Sequence, residues 1–280
     1  MKQRLLICTD LDRTLIPNGT HPESLQARAL FARLVARDDV NLVYVSGRDQ
    51  RLTQQAINEY QLPTPDYVIA DVGSSIYAIV NQQWHPWPAW QDEIATDWQG
   101  NTHDNIAKLF TDMDGLQLQE AEKQNVFKLS YYVPANIDSE ALRSAMQARL
   151  QQQAIRASLI WSIDDITHSG LLDVLPRRAT KLHAIEFLMA QKAYAIERTI
   201  FAGDSGNDIP VLTSRIQSVL VANARQDVRE QAAQEARKNG LSDALYFAKG
   251  DFMGMNGNYA AGILEGIAHF IPETTAWLSE

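Results

Sequence analysis

Near its N-terminus the chain reads Arg4-Leu5-Leu6-Ile7-Cys8-Thr9-Asp10-Leu11-Asp12-Arg13-Thr14-Leu15, and the other predicted elements are arranged around this stretch. Its apolar run predicts a buried strand, which ends in two acids, Asp10 and Asp12, with one residue between them. Ligand sites in open α/β sheets lie at the carboxyl ends of strands, where two carboxylates repel each other unless a cation lies nearby. We therefore expect a metal-assisted nucleophile at Asp10 with Asp12 as its proton partner. The alternative is an acidic turn after a strand.

The composition narrows the class of protein. The chain has 280 residues, of which 45% are hydrophobic, so it can form one large domain or two ordinary ones. A net charge of −9 argues against a nucleic-acid partner. No stretch approaches the length of an apolar membrane span, and the first residues lack the apolar region expected of a signal peptide. The single cysteine, Cys8, cannot form an internal disulfide, which fits a reducing compartment. We expect a cytoplasmic protein without a membrane partner.

The pattern of predicted elements indicates one α/β domain split by an insert. Apolar strands are predicted at residues 5–9, 41–45, 67–70, 199–202 and 218–222, with helices at 181–192, 225–238 and 258–270. Leu25, Ala29, Ala32 and Val35 predict the apolar face of the first helix. Between these parts, strands at 127–133, 157–163 and 171–175 and a helix at 139–152 indicate an α+β unit. The predicted fold is a Rossmann-like parallel-sheet core of residues 1–82 and 177–280 with an inserted α+β cap of residues 83–176.

A second acidic loop follows the predicted strand at 199–202 and reads Gly203-Asp204-Ser205-Gly206-Asn207-Asp208. Oxygen ligands on loops suit a hard cation such as Mg²⁺. Asp10 and Asp204 are the expected direct ligands, and the backbone carbonyl of Asp12 is a third. Asp208 is expected to act indirectly, through a water molecule or by supporting the direct ligands. The spacing of a Ca²⁺-binding loop is absent.

Two further segments supply positive charge and hydrogen-bond donors. Lys181 follows Thr180, a predicted helix cap, and is the candidate that offsets the acids, although a surface lysine is the alternative. Ser46, Gly47 and Arg48 lie at a predicted strand-to-helix turn, where exposed N–H groups and a helix N-terminus bind phosphate. An ordinary turn capped by Ser46 is the alternative there.

These pieces together fit hydrolysis of a phosphate monoester. Asp10 would attack phosphorus and form an aspartyl-phosphate. Asp12 would protonate the leaving oxygen and then deprotonate the attacking water. Ser46, Gly47 and Lys181 would hold the phosphoryl oxygens. This scheme expects the acidic neighbours of Asp12 to raise its pKa.

The four segments resemble the motifs of the haloacid dehalogenase superfamily of phosphatases, in order and in spacing. The resemblance implies Mg²⁺ as cofactor, the roles given above for the matching positions, a phosphate-binding position at Asn207, and a large cap inserted between the second and third motifs. Arg13 departs from the pattern, because many members carry Gly there.

A narrower resemblance, to the sucrose-6-phosphate phosphatase family, is carried by residues 71–77, 127–131, 169–176 and 259–265. It implies a sugar-phosphate substrate, with Lys128 and the loop at residues 164–169 facing the sugar, and hinges near 82–84 and 176–178. Sucrose 6-phosphate is the expected substrate, and mannosylfructose phosphate is an alternative. A phosphomutase and an idle sugar-phosphate-binding subunit are further alternatives. We expect a monomer, with a sugar-phosphate synthase as a conceivable partner.

Overall fold

The structure is a computed structural model that describes residues 4–163 and 169–279. The chain forms two compact units, Met1–Pro86 with Lys181–Glu280, and Trp87–Thr180. The inserted unit therefore begins and ends four residues later than the predicted boundaries at 82/83 and 176/177.

The strands of the described residues build two sheets. In chain order they are β1 (Leu5–Thr9), β2 (Val40–Val45), β3 (Tyr67–Ala70), β4 (Ser75–Val80), β5 (Gln83–Pro86), β6 (Gln117–Leu118), β7 (Leu129–Val133), β8 (Ala157–Ile163), β9 (Gly170–Pro176), β10 (Thr199–Gly203), β11 (Gln217–Leu220) and β12 (Leu245–Phe247). The first unit holds an eight-stranded sheet in the order β12-β11-β10-β1-β2-β3-β4-β5, parallel from β12 to β3, and the inserted unit holds the sheet β6-β7-β9-β8. This confirms the predicted α/β core with an α+β insert.

The helices of the described residues are α1 (Ala27–Val35), α2 (Gln50–Glu59), α3 (Pro88–Ala95), α4 (His103–Lys108), α5 (Ser139–Gln152), α6 (Lys181–Lys192), α7 (Ile209–Leu212), α8 (Gln226–Lys238), α9 (Ala260–Phe270) and α10 (Thr274–Ser279). Among them, none combines the length and the apolar composition that a membrane crossing requires.

The predicted apolar face of α1 is wrong in part, since Val35 packs partly buried against the core. Leu25 lies before the helix and is 96% exposed, while the helix buries Ala27, Phe31 and Leu34. Both sets have helical spacing, and the set that contains the large Phe31 side chain removes more apolar surface from water. The helix therefore buries the face that removes the larger apolar area from water.

The parallel pairing around β1 positions the acidic residues. Thr9 is opposite Ala202 of β10 on one side and Tyr44 of β2 on the other. The residues that follow these three strands therefore emerge at the same edge of the sheet. Asp10, Ser46 and Asp204 are thus brought to one edge by strand register alone.

The boundary of the inserted unit differs from the prediction because β5 belongs to the main sheet. Trp84 pairs with Ile79 of β4 in an antiparallel hairpin, so the hinge predicted at residues 82–84 lies inside a sheet. At the other boundary, the backbone N–H of Arg178 donates to buried Asp97 (2.7 Å) and its side chain lies 2.7 Å from Glu93. Arg178 is thereby fixed to the inserted unit, so the hinge predicted at 176–178 lies before the boundary between the units. The hinge positions themselves stay predictions.

Candidate active site

Asp10 follows directly after β1 and is almost completely buried, with 5% of its surface exposed. Its backbone N–H donates to the carbonyl of Ala202 in β10 (2.9 Å), so the edge of the sheet fixes where the side chain begins. Carboxylate atom Oδ1 accepts from the N–H of Leu11 (2.7 Å), and Oδ2 lies 3.2 Å from Lys181 Nζ. Burial raises the pKa of Asp10, and the positive charge of Lys181 opposes that rise.

Three of the four predicted metal ligands come together at this edge. One carboxylate oxygen each from Asp10, Asp204 and Asp208 lie within 4.8 Å of one another. The loop after β10 directs Asp208 to this acidic cluster, because Asp208 Oδ2 accepts from the N–H groups of Asp204 and Ser205, each at 3.1 Å. Gly203 permits the close approach, since a Cβ at that position would lie 2.6 Å from Asp208 Cγ.

Lys181 is the first residue of α6 and is 3% exposed, so it is not a surface lysine. Its Nζ lies 2.7 Å from Asp208 Oδ1, 3.2 Å from Asp10 Oδ2 and 3.3 Å from Asn207 Oδ1. Burial alone would lower the pKa of Lys181, but the two carboxylates outweigh burial and raise it. The lysine therefore stays charged and offsets part of the negative charge, as its predicted role requires.

The donor set of the acidic cluster fits a hard divalent cation. It offers carboxylate oxygens only, and Lys181 together with Arg13 leaves the three acids with excess negative charge. Asp208 is fully buried and accepts from Lys181 and from the N–H of Asp204, and its indirect role stays a prediction. The carboxylate of Asp12, the fourth predicted metal residue, is not part of the cluster, and its predicted contribution was through the backbone carbonyl.

The Asp12 carboxylate instead faces Arg48. Arg48 Nε donates to Asp12 Oδ2 (2.8 Å) and Arg48 Nη2 to Oδ1 (2.6 Å), while Asn18 Nδ2 donates to Oδ1 (2.7 Å). Burial would raise the pKa of Asp12, but the hydrogen bonds and charge of Arg48 outweigh it, so the pKa is lowered. The prediction that acidic neighbours raise this pKa is wrong, because a bidentate arginine is the nearer group. The predicted phosphate contact of Arg48 is replaced here by this ion pair.

Ser46 and Gly47 lie at the end of β2, beside β1. Ser46 is 1% exposed, and its hydroxyl accepts from the N–H of Arg48 (3.2 Å). The N-terminus of α2 is closed by Asp49, whose carboxylate accepts from the N–H of Leu52 (2.6 Å). The Asp49 cap occupies one of the N–H groups of this helix terminus, and the phosphate contact of Ser46 and Gly47 stays a prediction.

Sequence reasoning missed several residues that support the acidic cluster. Thr14 Oγ1 donates to Asp204 Oδ1 (3.1 Å), and Arg13 Nε lies 3.5 Å from Asp204 Oδ2. Asn223 Nδ2 donates to the backbone carbonyl of Arg13 (2.6 Å) and thereby connects the loop after β11 with the loop after β1. Thr14 could have been found from its place in the first acidic stretch. Asn223 carries no local signal, because its partner is 210 residues away.

The predicted sugar-binding residues belong to the inserted unit. Lys128 precedes β7 and is 9% exposed, so it is not a solvent-facing strand residue. Residues 164–168 of the predicted sugar loop lie outside the described residues. The contact of Lys128 with a substrate stays a prediction.

The pKa of Asp204 predicts how pH acts on metal binding. Burial, reinforced by Asp208, raises this pKa from 3.8 to about 6. A carboxyl group whose pKa is higher in the folded chain destabilises the metal-free fold as pH rises between those two values. A cation needs both Asp204 and Asp10 ionised, and burial also raises the pKa of Asp10 to about 8. We therefore expect apparent Mg²⁺ affinity to fall as pH falls from about 9 to about 5, with a steeper loss below about 6.

Thermal melting of the protein during Mg²⁺ titrations at several pH values measures this dependence. Asp204→Asn is the matched control, because it removes both the titrating group and the ligand. Equal Mg²⁺ affinity at both ends of the pH range would contradict the expectation.

Comparison with known sequences places these residues in a family. The sequence model of sucrose-6F-phosphate phosphohydrolase matches residues 3–271. A protein of Nitrosococcus oceani, named as a HAD-like hydrolase without a stated substrate, is 54% identical over 99% of this chain and 75% of its own length. The mannosylfructose-phosphate phosphatase of Agrobacterium fabrum is 28% identical over 96% of this chain and 98% of its own. This chain spans 59% of the length of the tobacco sucrose-phosphatase 1.

Comparison with solved structures agrees with the sequence match. The sucrose-phosphatase of Synechocystis, solved in complex with sucrose and phosphate, matches with a TM-score of 0.71 and 25% identity, over 96% of this chain and 98% of that one. Because the family match runs through every segment that builds the acidic cluster, the chain belongs to the sucrose-6F-phosphate phosphohydrolase family, and with it to the phosphatases of the haloacid dehalogenase superfamily.

Proposed function

We propose that this protein is a Mg²⁺-dependent phosphatase of a phosphorylated sugar, with sucrose 6-phosphate as its favoured substrate, acting through an aspartyl-phosphate on Asp10. The observation that carries the proposal is the buried contact of Lys181 with Asp10 (3.2 Å) beside Asp204 and Asp208. A carboxylate nucleophile must approach an anionic phosphate, and this arrangement reduces the repulsion between them.

Asp10 and Asp204 are the side chains that would hold Mg²⁺, with Asp208 behind them and the Asp12 carbonyl as a further ligand. The bound ion would supply charge stabilisation to the phosphoryl oxygens. Thr14 and the N–H groups of the loop after β10 hold the two acids of that loop in place. These supporting bonds preserve the geometry of the acidic cluster.

The first chemical step forms a bond between an Asp10 carboxylate oxygen and phosphorus. The bond between phosphorus and the sugar oxygen breaks, and the leaving oxygen takes a proton from Asp12. Asp12 cannot donate while Arg48 holds it as a carboxylate. The proposal therefore includes exchange of Arg48 for the leaving oxygen when substrate binds, which lets Asp12 carry a proton.

The second step returns Asp10 to its starting state. Asp12, now a carboxylate, takes a proton from a water molecule whose oxygen bonds to phosphorus. The bond between phosphorus and Asp10 breaks, and phosphate leaves. Throughout both steps Lys181, Ser46, Asn207 and the Gly47 N–H would hold the phosphoryl oxygens.

The inserted unit is the proposed source of sugar specificity. The phosphate site uses residues of the first unit, so recognition of the sugar needs other groups, and Lys128 is the candidate that the family resemblance supplies. The proposal includes a cytoplasmic, monomeric enzyme that could contact a sugar-phosphate synthase.

Mannosylfructose phosphate is the second candidate substrate. The Agrobacterium phosphatase named for this substrate aligns with this chain over 98% of its own length. The tobacco sucrose-phosphatase 1 aligns over only 59% of its own length. A phosphomutase would use the same aspartyl-phosphate but return the phosphoryl group to the sugar.

A panel of phosphorylated mono- and disaccharides, assayed for phosphate release with Mg²⁺ and with EDTA, tests the proposal. We expect the highest kcat/KM for sucrose 6-phosphate and loss of activity in EDTA. A preference for a hexose monophosphate would contradict the proposed substrate. Activity that persists in EDTA would contradict the proposed metal dependence. Conversion of a hexose 1-phosphate to its isomer without free phosphate would identify a phosphomutase.

A further inference from the structure

Arg13 occupies a backbone conformation that arginine rarely adopts. Its φ of 56° lies in the left-handed region, which is unfavourable for a residue that carries a Cβ. Two side-chain amides hold the backbone there, because the Arg13 N–H donates to Asn18 Oδ1 (2.8 Å) and its carbonyl accepts from Asn223 Nδ2 (2.6 Å). The loop conformation thus has its own supports and does not depend on the guanidinium.

The Arg13 side chain is directed to the acidic cluster. Its Nε lies 3.5 Å from Asp204 Oδ2, while the other oxygen of Asp204 accepts from Thr14. Asp204 is 6% exposed, whereas the Arg13 side chain is 52% exposed. A fixed, buried carboxylate is therefore paired with a cation that has open solvent beside it.

The two cations near the cluster divide the acids between them. Within the described part of the chain, Lys181 forms ion pairs with Asp10 and Asp208, and Arg13 forms one with Asp204. Lys181 is buried and keeps its contacts, whereas the half-exposed Arg13 guanidinium can turn into solvent when another cation takes its place beside Asp204. Asp204 is thus the acid whose partner is exchangeable.

We propose that Arg13 is a tethered counter-ion of the metal site, which pairs with Asp204 in the metal-free protein and is displaced when the metal binds. The inference rests on the proposed Mg²⁺-dependent function. A divalent cation bound to Asp204 repels the guanidinium and takes its carboxylate partner. Arg13 therefore makes the Mg²⁺ affinity lower than it would be for the same acids without the guanidinium.

Isothermal titration calorimetry with MgCl₂ at constant ionic strength tests the proposal on Arg13→Gln, Arg13→Lys and the unaltered protein. Gln and Lys, like Arg, carry a Cβ and are equally disfavoured at this positive φ. The two variants therefore differ mainly in the charge of the side chain. We expect Arg13→Gln to tighten Mg²⁺ binding by about three- to tenfold, and Arg13→Lys to stay close to the unaltered protein.

The same assay separates failure of this inference from failure of the proposed function. Equal or weaker Mg²⁺ binding by Arg13→Gln, with binding lost in Asp204→Asn, would overturn the role of Arg13 alone. Mg²⁺ binding that survives Asp204→Asn, or no binding by the unaltered protein, would overturn the metal site and this inference together.

Discussion

Asp10→Asn is expected to lower phosphate release from sucrose 6-phosphate by at least about a thousandfold, because an amide cannot form the phosphoryl bond. The substitution keeps the shape of the side chain and the oxygen that accepts from the Leu11 N–H. It also removes one of three mutually repelling charges. We therefore expect a folded protein whose melting temperature is close to that of the unaltered chain.

The rate of phosphate release and a thermal melt on the same sample measure both parts of this prediction. Asp38→Asn is a matched control, because Asp38 is an exposed acid after α1 and its loss should leave the rate unchanged. Full activity in Asp10→Asn would remove the nucleophile from the proposed mechanism. Lost activity with lost folding would require a different substitution, such as Asp10→Ser, to be compared.

Lys181→Met is the second large effect that we expect. Methionine fills much of the same space but leaves Asp10 and Asp208 without the cation that lies 3.2 and 2.7 Å from them. Breaking a buried ion pair from one side destabilises a fold by about 3 kcal/mol. Loss of a charge that stabilises the transferring phosphoryl group should also lower kcat by about a hundredfold or more.

Chemical denaturation with and without Mg²⁺, together with kcat, separates the two effects of Lys181→Met. Part of the lost stability should return with Mg²⁺, which also neutralises the acids, but kcat should stay low. Lys192→Met, at the opposite end of α6, is the control within the same helix. Wild-type stability in the Lys181 variant without metal would contradict the account of charge in the cluster.

The position of most site residues could be predicted because the strand-end rule needs only the sequence of each strand and the residues after it. Asp10, Ser46 and Asp204 follow three strands whose apolar runs are plain, and parallel pairing brings them to one edge. Lys181 could be named as the cation that offsets the acids, but its local sequence could not decide between a buried and an exposed lysine, because that depends on how α6 packs beside the acidic cluster.

The pairing of Arg48 with Asp12 could not be predicted, because it depends on how two loops 36 residues apart are oriented beyond the ends of their strands. The same limit applies to Asn223, whose partner Arg13 lies 210 residues away. Sequence pattern also could not decide which of two helical stripes around Leu25 and Phe31 is buried. The sheet that covers the helix determines that outcome.

In the proposed mechanism, Asp10 receives the phosphoryl group. Rapid-mixing measurement of p-nitrophenolate release from p-nitrophenyl phosphate by Asp12→Asn tests it most directly. This leaving group needs no acid, whereas hydrolysis of the aspartyl-phosphate needs the Asp12 base. We predict a burst of about one equivalent of p-nitrophenolate per chain before a slow phase, absent in the Asp10→Asn/Asp12→Asn double variant. A burst that survives in the double variant, or steady release at the wild-type rate without a burst, would contradict the account.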